Sequence, residues 1–247
     1  MKAILLGAGY GTRLYPLTLD KPKPLLPVGN KAIVEHILER IGRIPAIDGV
    51  LLVTNDKFAS HFEAWKQGFQ WTRPIEILND GTTSNEDRLG AVGDIYFVLK
   101  QKGIDEEVLV VGGDNLFEFD LNRASGFFRE KGGPVVGLYD MGDKEKVAGL
   151  YGVVSIDEDS RIVGFEEKPK NPKSSLVSTA LYFLTPRDLQ TLRVYIEEGN
   201  RPDNLGDFVR YLVERQDVYG YVFRENWFDI GSFEQLERAN AHFSKAP

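Results

Sequence analysis

The first thirty residues decide most of what this chain can fold into. A strand pattern at Lys2–Leu6 runs straight into glycines at Gly7, Gly9 and Gly11, with Thr12 and Arg13 behind them. Residues without side chains let backbone N–H groups close on a phosphate chain, and Arg13 adds a rigid two-pronged donor. Pro16, Pro22, Pro24 and Pro27, four of the 12 prolines, then stiffen the stretch that carries Lys21 and Lys23. Such a loop holds its shape, which suits cations that must face a multiply charged ligand. A dinucleotide-binding fingerprint would need a third glycine where Thr12 stands, and an acid about 20 residues further on. The second buried run, Val50–Val53, comes much later. A nicotinamide dehydrogenase is therefore the weakest reading.

The rest of the chain alternates strand and helix signals. Lys31–Ile41 places Ile33, Ile37 and Ile41 on one face and predicts a helix. Lys57–Gln67 and Leu89–Lys100 read as further helices, Ile75–Leu78 and Val108–Val111 as strands. Continuous apolar runs such as Val50–Val53 mark strands covered on both faces. Residues 1–118 thus read as a parallel Rossmann-type α/β core, and residues 119–247 as a more mixed half. There, Leu150–Ile156 and Arg161–Glu166 flank a hairpin turn, and Ser178–Leu184 and Val218–Phe223 are strands. Helices are expected from Pro186 to about Glu198, over Asp207–Arg215 and over Phe233–Phe243. The expected fold is α/β: a Rossmann-like three-layer sandwich with a central mixed, mostly parallel sheet, forming one domain over 1–247.

Composition removes several classes. No stretch approaches the ~18–20 apolar residues of a membrane span, and no signal-peptide profile opens the chain. With no cysteine there are no disulfides or thiolate metal sites, which suits a cytoplasmic protein. A net charge of −7 argues against a nucleic-acid binder but not against a phosphate ligand, because a few cations can set the field of one cleft.

Open α/β sheets bind ligands at the carboxyl ends of their strands. The Gly7–Arg13 loop lies at one such end, and Gly112-Gly113-Asp114-Asn115 at another. Taken alone, Asp114 serves a plain turn as well as it serves a cation. Asp229, in Trp227-Phe228-Asp229-Ile230-Gly231, could equally be an acid at a helix entry. Glu166-Glu167-Lys168 could be ordinary solvated charge.

Residues 9–27 resemble the signature of the sugar-1-phosphate nucleotidyltransferases: Gly-x-Gly-Thr-Arg-Leu-x-Pro-Leu-Thr followed by Pro-Lys-Pro-Leu-Leu-Pro. The glucose-1-phosphate thymidylyltransferase branch is the nearest relative by this pattern. The resemblance implies the nucleotide-diphospho-sugar transferase fold, a nucleoside triphosphate and a sugar 1-phosphate as substrates, and Mg²⁺ as cofactor. It places Leu6, Gly7, Ala8, Gly9, Gly11 and Thr12 against the nucleotide, with Arg13 and Lys23 on its phosphates. Asp114 and Asp229 become the metal ligands. Lys168 falls on the sugar phosphate and Glu167 on sugar hydroxyls, with Tyr151, Gly152, Thr179 and Trp227 around the sugar. Ala180 stands where many relatives carry glycine.

The base-reading segment falls at Asn79–Gly90, with Asn79 and Gly90 as its contacts. It departs from the thymidylyltransferase pattern, which is shorter and usually contains glutamine and proline. Thymine or uracil is the expected base and glucose the expected sugar, with a cytidylyltransferase as the alternative. A non-catalytic regulatory subunit of the same fold is the other rival, but the retained Arg13, Lys23, Asp114, Lys168 and Asp229 favour catalysis. No C-terminal β-helix is expected, and a homo-oligomer is expected by analogy. His36, His61 and His242 lie outside these loops, so no histidine base is expected.

Overall fold

The computed structural model describes residues 1–244. The first half contains β1 (Lys2–Leu6), a small ribbon of β2 (Pro27–Val28) and β3 (Lys31–Ala32), α1 (Ile33–Ile41) and β4 (Gly49–Thr54). It continues through α2 (Asp56–Gly68), β5 (Ile75–Asn79), α3 (Ala91–Lys102), β6 (Val108–Gly112) and β7 (Asn115–Phe117). The second half contains α4 (Leu121–Lys131), β8 (Val135–Asp140), β9 (Gly152–Ile156), β10 (Ile162–Glu167) and β11 (Leu176–Leu184). It ends with α5 (Pro186–Glu197), α6 (Leu205–Val213), β12 (Tyr219–Phe223), β13 (Trp227–Asp229) and α7 (Phe233–Phe243).

One nine-stranded mixed sheet crosses both halves, with the path β10-β9-β11-β6-β1-β4-β5 and with β8 joining β11 to β12. Pairing is parallel between β6, β1, β4 and β5, and antiparallel wherever β11 meets β6, β8 or β9. Alternate strand residues face opposite ways, as the period of two requires. Ala3, Leu5, Leu52, Leu109 and Val111 pack with α1, α2 and α4 on one face. Ile4, Leu51, Val53, Val108 and Val110 pack with α3, α5 and α6 on the other. This is the expected three-layer sandwich.

Several boundaries move for local reasons. The first helix starts at Ile33 rather than Lys31, because Lys31 and Ala32 pair with Val28 and Pro27. The third starts at Ala91 rather than Leu89, since Gly90 takes φ 81, outside the helical region. Helix α4 and strand β8 carry no assignment from the sequence. Asp120 caps α4 by accepting from the Asn122 N–H at 3.0 Å, and Gly132 ends it at φ 63. Asp229 is not a helix-entry acid: Ser232 caps α7, and Asp229 lies in β13. The last three residues of the expected 1–247 unit lie outside the described residues.

Candidate active site

The strand ends assemble the site. In the parallel register Leu6 stands beside Gly112, so the loops after β1 and β6 leave the sheet together. The Gly113 N–H donates to the Leu6 carbonyl at 2.8 Å, and the Gly7 N–H to the Val53 carbonyl at 2.8 Å. A Cβ on Gly113 would come within 2.6 Å of the Leu6 carbonyl oxygen, which is why only glycine fits there. Asn55, fully buried, donates its amide to the Ala8 carbonyl at 2.7 Å while accepting from the Phe58 N–H at the start of α2. That one side chain ties the glycine loop to a helix.

A cavity of about 280 Å³ opens over these loops, lined by Leu6, Gly7, Ala8 and Gly9 below and by Lys23 and Asp114 at one end. A second cavity, of about 480 Å³, is lined by Tyr151, Gly152, Glu167, Lys168, Thr179 and Trp227, among others. The two share Ala91, Asp114, Ala180, Asp203 and Leu205. Ala180 packs so closely on Gly112 that a Cβ there would stand 2.7 Å from its own.

The acids and cations converge at this seam. Lys23 Nζ lies 2.8 Å from Asp114 Oδ2, and the Asn115 amide donates to Asp114 Oδ1 at 2.9 Å. Burial would push the Asp114 carboxyl up, but the Lys23 charge and these hydrogen bonds outweigh it and hold it below the usual range. Strand β13 pairs antiparallel with β7, placing Asp229 opposite Asn115, and the Ile230 N–H donates to the Asp114 carbonyl at 2.9 Å. Burial first, and then the Asp114 charge, push Asp229 up to about 6, with Lys23 and Arg13 offsetting only part of this.

Two crowded carboxylates of this kind fit a divalent cation, which would relieve their repulsion, and oxygen donors suit Mg²⁺. Among the described residues no group of three or more potential ligands gathers, so phosphate and water oxygens would complete the shell.

Not every expected residue reaches a cavity wall. Asn79 turns away: its amide donates to Asp56 at 2.7 Å and its oxygen accepts from the Gly81 N–H, while Asp80 takes the place on the wall. Gly11 (φ 61) and Thr12 start a 3-10 turn and line neither cavity. Arg13 reaches the larger cavity and the neighbourhood of Gly231 rather than the glycine floor. Thr179 lines the larger cavity, but its hydroxyl donates to the Gly137 carbonyl at 2.9 Å.

Gly90 does line the smaller cavity. Its closest neighbours are nonetheless the backbone of Pro202 and Asp203. None of the three histidines lines either cavity. Lys168 leaves β10 at φ 45, a conformation uncommon outside glycine. Residues without an assigned role from the sequence also matter. Asn115 links Asp114 to the Trp227 indole, which donates to it at 2.8 Å. Asp80, Arg88, Asp94 and Asp203 complete the wall of the smaller cavity.

Known proteins match this arrangement over nearly the whole chain. A Methanocaldococcus jannaschii protein named Bifunctional protein GlmU is 30% identical over 245 residues, 98% of this chain and 54% of the relative. A Clostridium novyi glucose-1-phosphate adenylyltransferase is 28% identical over 259 residues, 97% of this chain and 66% of the relative. The chain spans about half the length of the GlmU relatives it matches. A Bacillus anthracis structure, assigned as a glucose-1-phosphate thymidylyltransferase and solved with a sucrose, superposes with TM-score 0.84 at 25% identity, covering 100% of this chain and 96% of that one. A UDP-glucose pyrophosphorylase structure shares the fold with TM-score 0.81 at 22% identity, covering 99% of each. The family model described as nucleotidyl transferase matches residues 2–246, and the chain belongs to that family.

Proposed function

We propose that this chain transfers a nucleotidyl group from a nucleoside triphosphate to a sugar 1-phosphate, releasing pyrophosphate. The observation that carries the reading is the meeting of Lys23, Asp114 and Asp229 at the seam of two cavities. One cavity has a glycine floor suited to phosphates, and the other has the hydroxyl, acid and aromatic side chains suited to a sugar. Glucose 1-phosphate is the proposed acceptor, since the clostridial and Bacillus anthracis relatives both carry it in their names. The resemblance implies dTTP or UTP as donor; Asp80 and Asp94 on the wall of the smaller cavity favour a different base.

In the proposed reaction a sugar-phosphate oxygen forms a bond to the α-phosphorus while the bond to the bridging oxygen breaks and pyrophosphate leaves. A phosphate monoester has its second pKa near ~6, so the nucleophile is already largely ionised at neutral pH and needs no histidine base. The chain's task is alignment and charge neutralisation. Lys23 steadies charge on the transferring phosphate, Arg13 approaches from the Asp229 side, Lys168 fixes the sugar phosphate, and Glu167 and Tyr151 face the sugar itself. Mg²⁺ held by Asp114 and Asp229 would supply Lewis-acid stabilisation of the phosphate oxygens.

No helix among the described residues is long and apolar enough to cross a membrane. A single catalytic unit working in the cytoplasm as a homo-oligomer completes the proposal. Pyrophosphate release across five nucleoside triphosphates and a panel of sugar 1-phosphates tests it; no release from any pair would refute it.

A further inference from the structure

The wall of the nucleotide cavity is unusual in what it offers a base. Its lining contains no amide or hydroxyl side chain. The hydrogen-bonding side chains there are Lys23, Arg88 and the carboxyls of Asp80, Asp94, Asp114 and Asp203. Lys23 and Asp114 hold each other at the phosphate end. Arg88 is engaged by the Asn85 carbonyl at 2.7 Å and by Asp203 at 3.2 Å. The two lining acids that no cation pairs are Asp80, just after β5, and Asp94, in the first turn of α3.

Asp94 is 6% exposed and sits on the helix face that also carries Ile95 and Val98. Its Oδ1 and the Asp80 Oδ2 are buried with no donor in reach, and the two carboxyls are within hydrogen-bonding contact of each other. Two carboxyls so placed must share a proton, because both cannot ionise at that range. Asp80 Oδ1 is already taken by the Thr82 N–H at 2.7 Å and the Thr82 hydroxyl at 2.8 Å. With the shared proton held between the buried Asp94 Oδ1 and Asp80 Oδ2, Asp94 Oδ2 is the acceptor the pair leaves for the cavity, and the pair carries a net negative charge. Uracil and thymine present two carbonyl oxygens flanking a single N–H, and such an edge is repelled there. An exocyclic amine finds an acceptor instead.

We infer that the Asp80–Asp94 pair selects a nucleoside triphosphate whose base carries an exocyclic amine over one that carries only carbonyls. This reverses the thymine-or-uracil expectation. It rests on the proposed function only in that the cavity holds a nucleotide.

The test is equilibrium binding without any sugar phosphate, measured by calorimetry with Mg²⁺ and each of ATP, CTP, GTP, UTP and dTTP. At least one amine-bearing triphosphate should bind ~10-fold or more tightly than UTP and dTTP, and the three amine arms separate adenine, cytosine and guanine. Asp94→Asn, which adds a donor at the same volume, should narrow that gap by ~5-fold or more. Should its melt show that Asp94→Asn does not fold, Asp80→Asn gives the same readout. Equal or tighter binding of UTP or dTTP by the wild-type chain overturns the inference, as does an unchanged gap in the variant. If the base ranking appears but no sugar phosphate yields pyrophosphate, the inference stands and the transferase proposal falls. If no triphosphate binds, both fall.

Discussion

On the parallel side of the cleft a ligand would meet backbone. Leu6–Gly9, Gly112 and Gly113 line the smaller cavity, held by bonds from Gly113 to Leu6 and from Asn55 to Ala8. On the antiparallel side it would meet side chains: Lys168 keeps 60% of its side chain exposed and Glu167 35%. The difference suits the two substrates of the proposed function. A triphosphate has one geometry whatever its base, so a fixed set of backbone groups can serve it. A sugar is read hydroxyl by hydroxyl, and only side chains at chosen heights on a strand can do that. Ala91, Asp114, Ala180, Asp203 and Leu205 belong to both walls, and the proposed reaction would take place where the two modes meet.

The sharpest way to break this comparison is at the seam. Lys23→Ala and Asp114→Ala should each lose ~10²–10³ in turnover while the melting curve still shows a folded protein. Pyrophosphate release measures it, and near-wild-type rates in either variant would remove that residue from the reaction. Next in size is the hinge between the two walls. The N–H groups of Ala91 and Val92 donate to the carbonyls of Asp203 and Pro202, and Gly90 adopts φ +81 with room for no Cβ, since one would stand 2.5 Å from the Asp203 Cα. Gly90→Ala should cost ~1–3 kcal/mol in denaturant unfolding. An unchanged midpoint would mean that the two segments are not locked together.

A third test separates the walls. Lys168→Ala should raise KM for the sugar phosphate by ~10-fold, about 1.4 kcal/mol, and leave triphosphate affinity unchanged. An equal loss in nucleotide binding would place Lys168 on the other side of the cleft.

The legibility of the chain divides along the same line. Strands β1, β4 and β6 were readable because burial on both faces makes them continuous apolar runs, and the glycine loops at their ends announce themselves by composition. The antiparallel half hid more. Helix α4 carries Gly126 at mid-length, and its buried face holds the small residues Ala124 and Ser125 between Leu121 and Phe128, so few large apolar residues mark it. Strand β13 has three residues, too few for any period, and only its pairing with β7 brings Asp229 beside Asn115. Asn79 bonds Asp56 instead of lining the cavity, and Asp80, one position on, stands on the wall. Asn115 was visible beside Asp114, but nothing local shows that its oxygen receives the Trp227 indole, 112 residues away in sequence. Asp94 had the one overlooked signal, an acid in register with the apolar face of a helix.

That acid gives the smallest test and the one most particular to this chain. Burial, and then the charge and contact of Asp80, raise the Asp94 carboxyl to about 8. In the unfolded chain it titrates near ~3.9, so between those values the folded form holds a proton that the unfolded form has released. Stability therefore falls as pH rises across that window, and the contribution is lost once pH passes the folded value. Asp94→Asn cannot lose that proton. Relative to wild type, the variant should gain ~1 kcal/mol between pH 7 and pH 8 in parallel denaturant titrations, with little further gain above pH 9. A flat difference across that range would mean that Asp94 is already ionised in the folded chain. That outcome would remove the shared proton from which the preference for an amine-bearing base is argued.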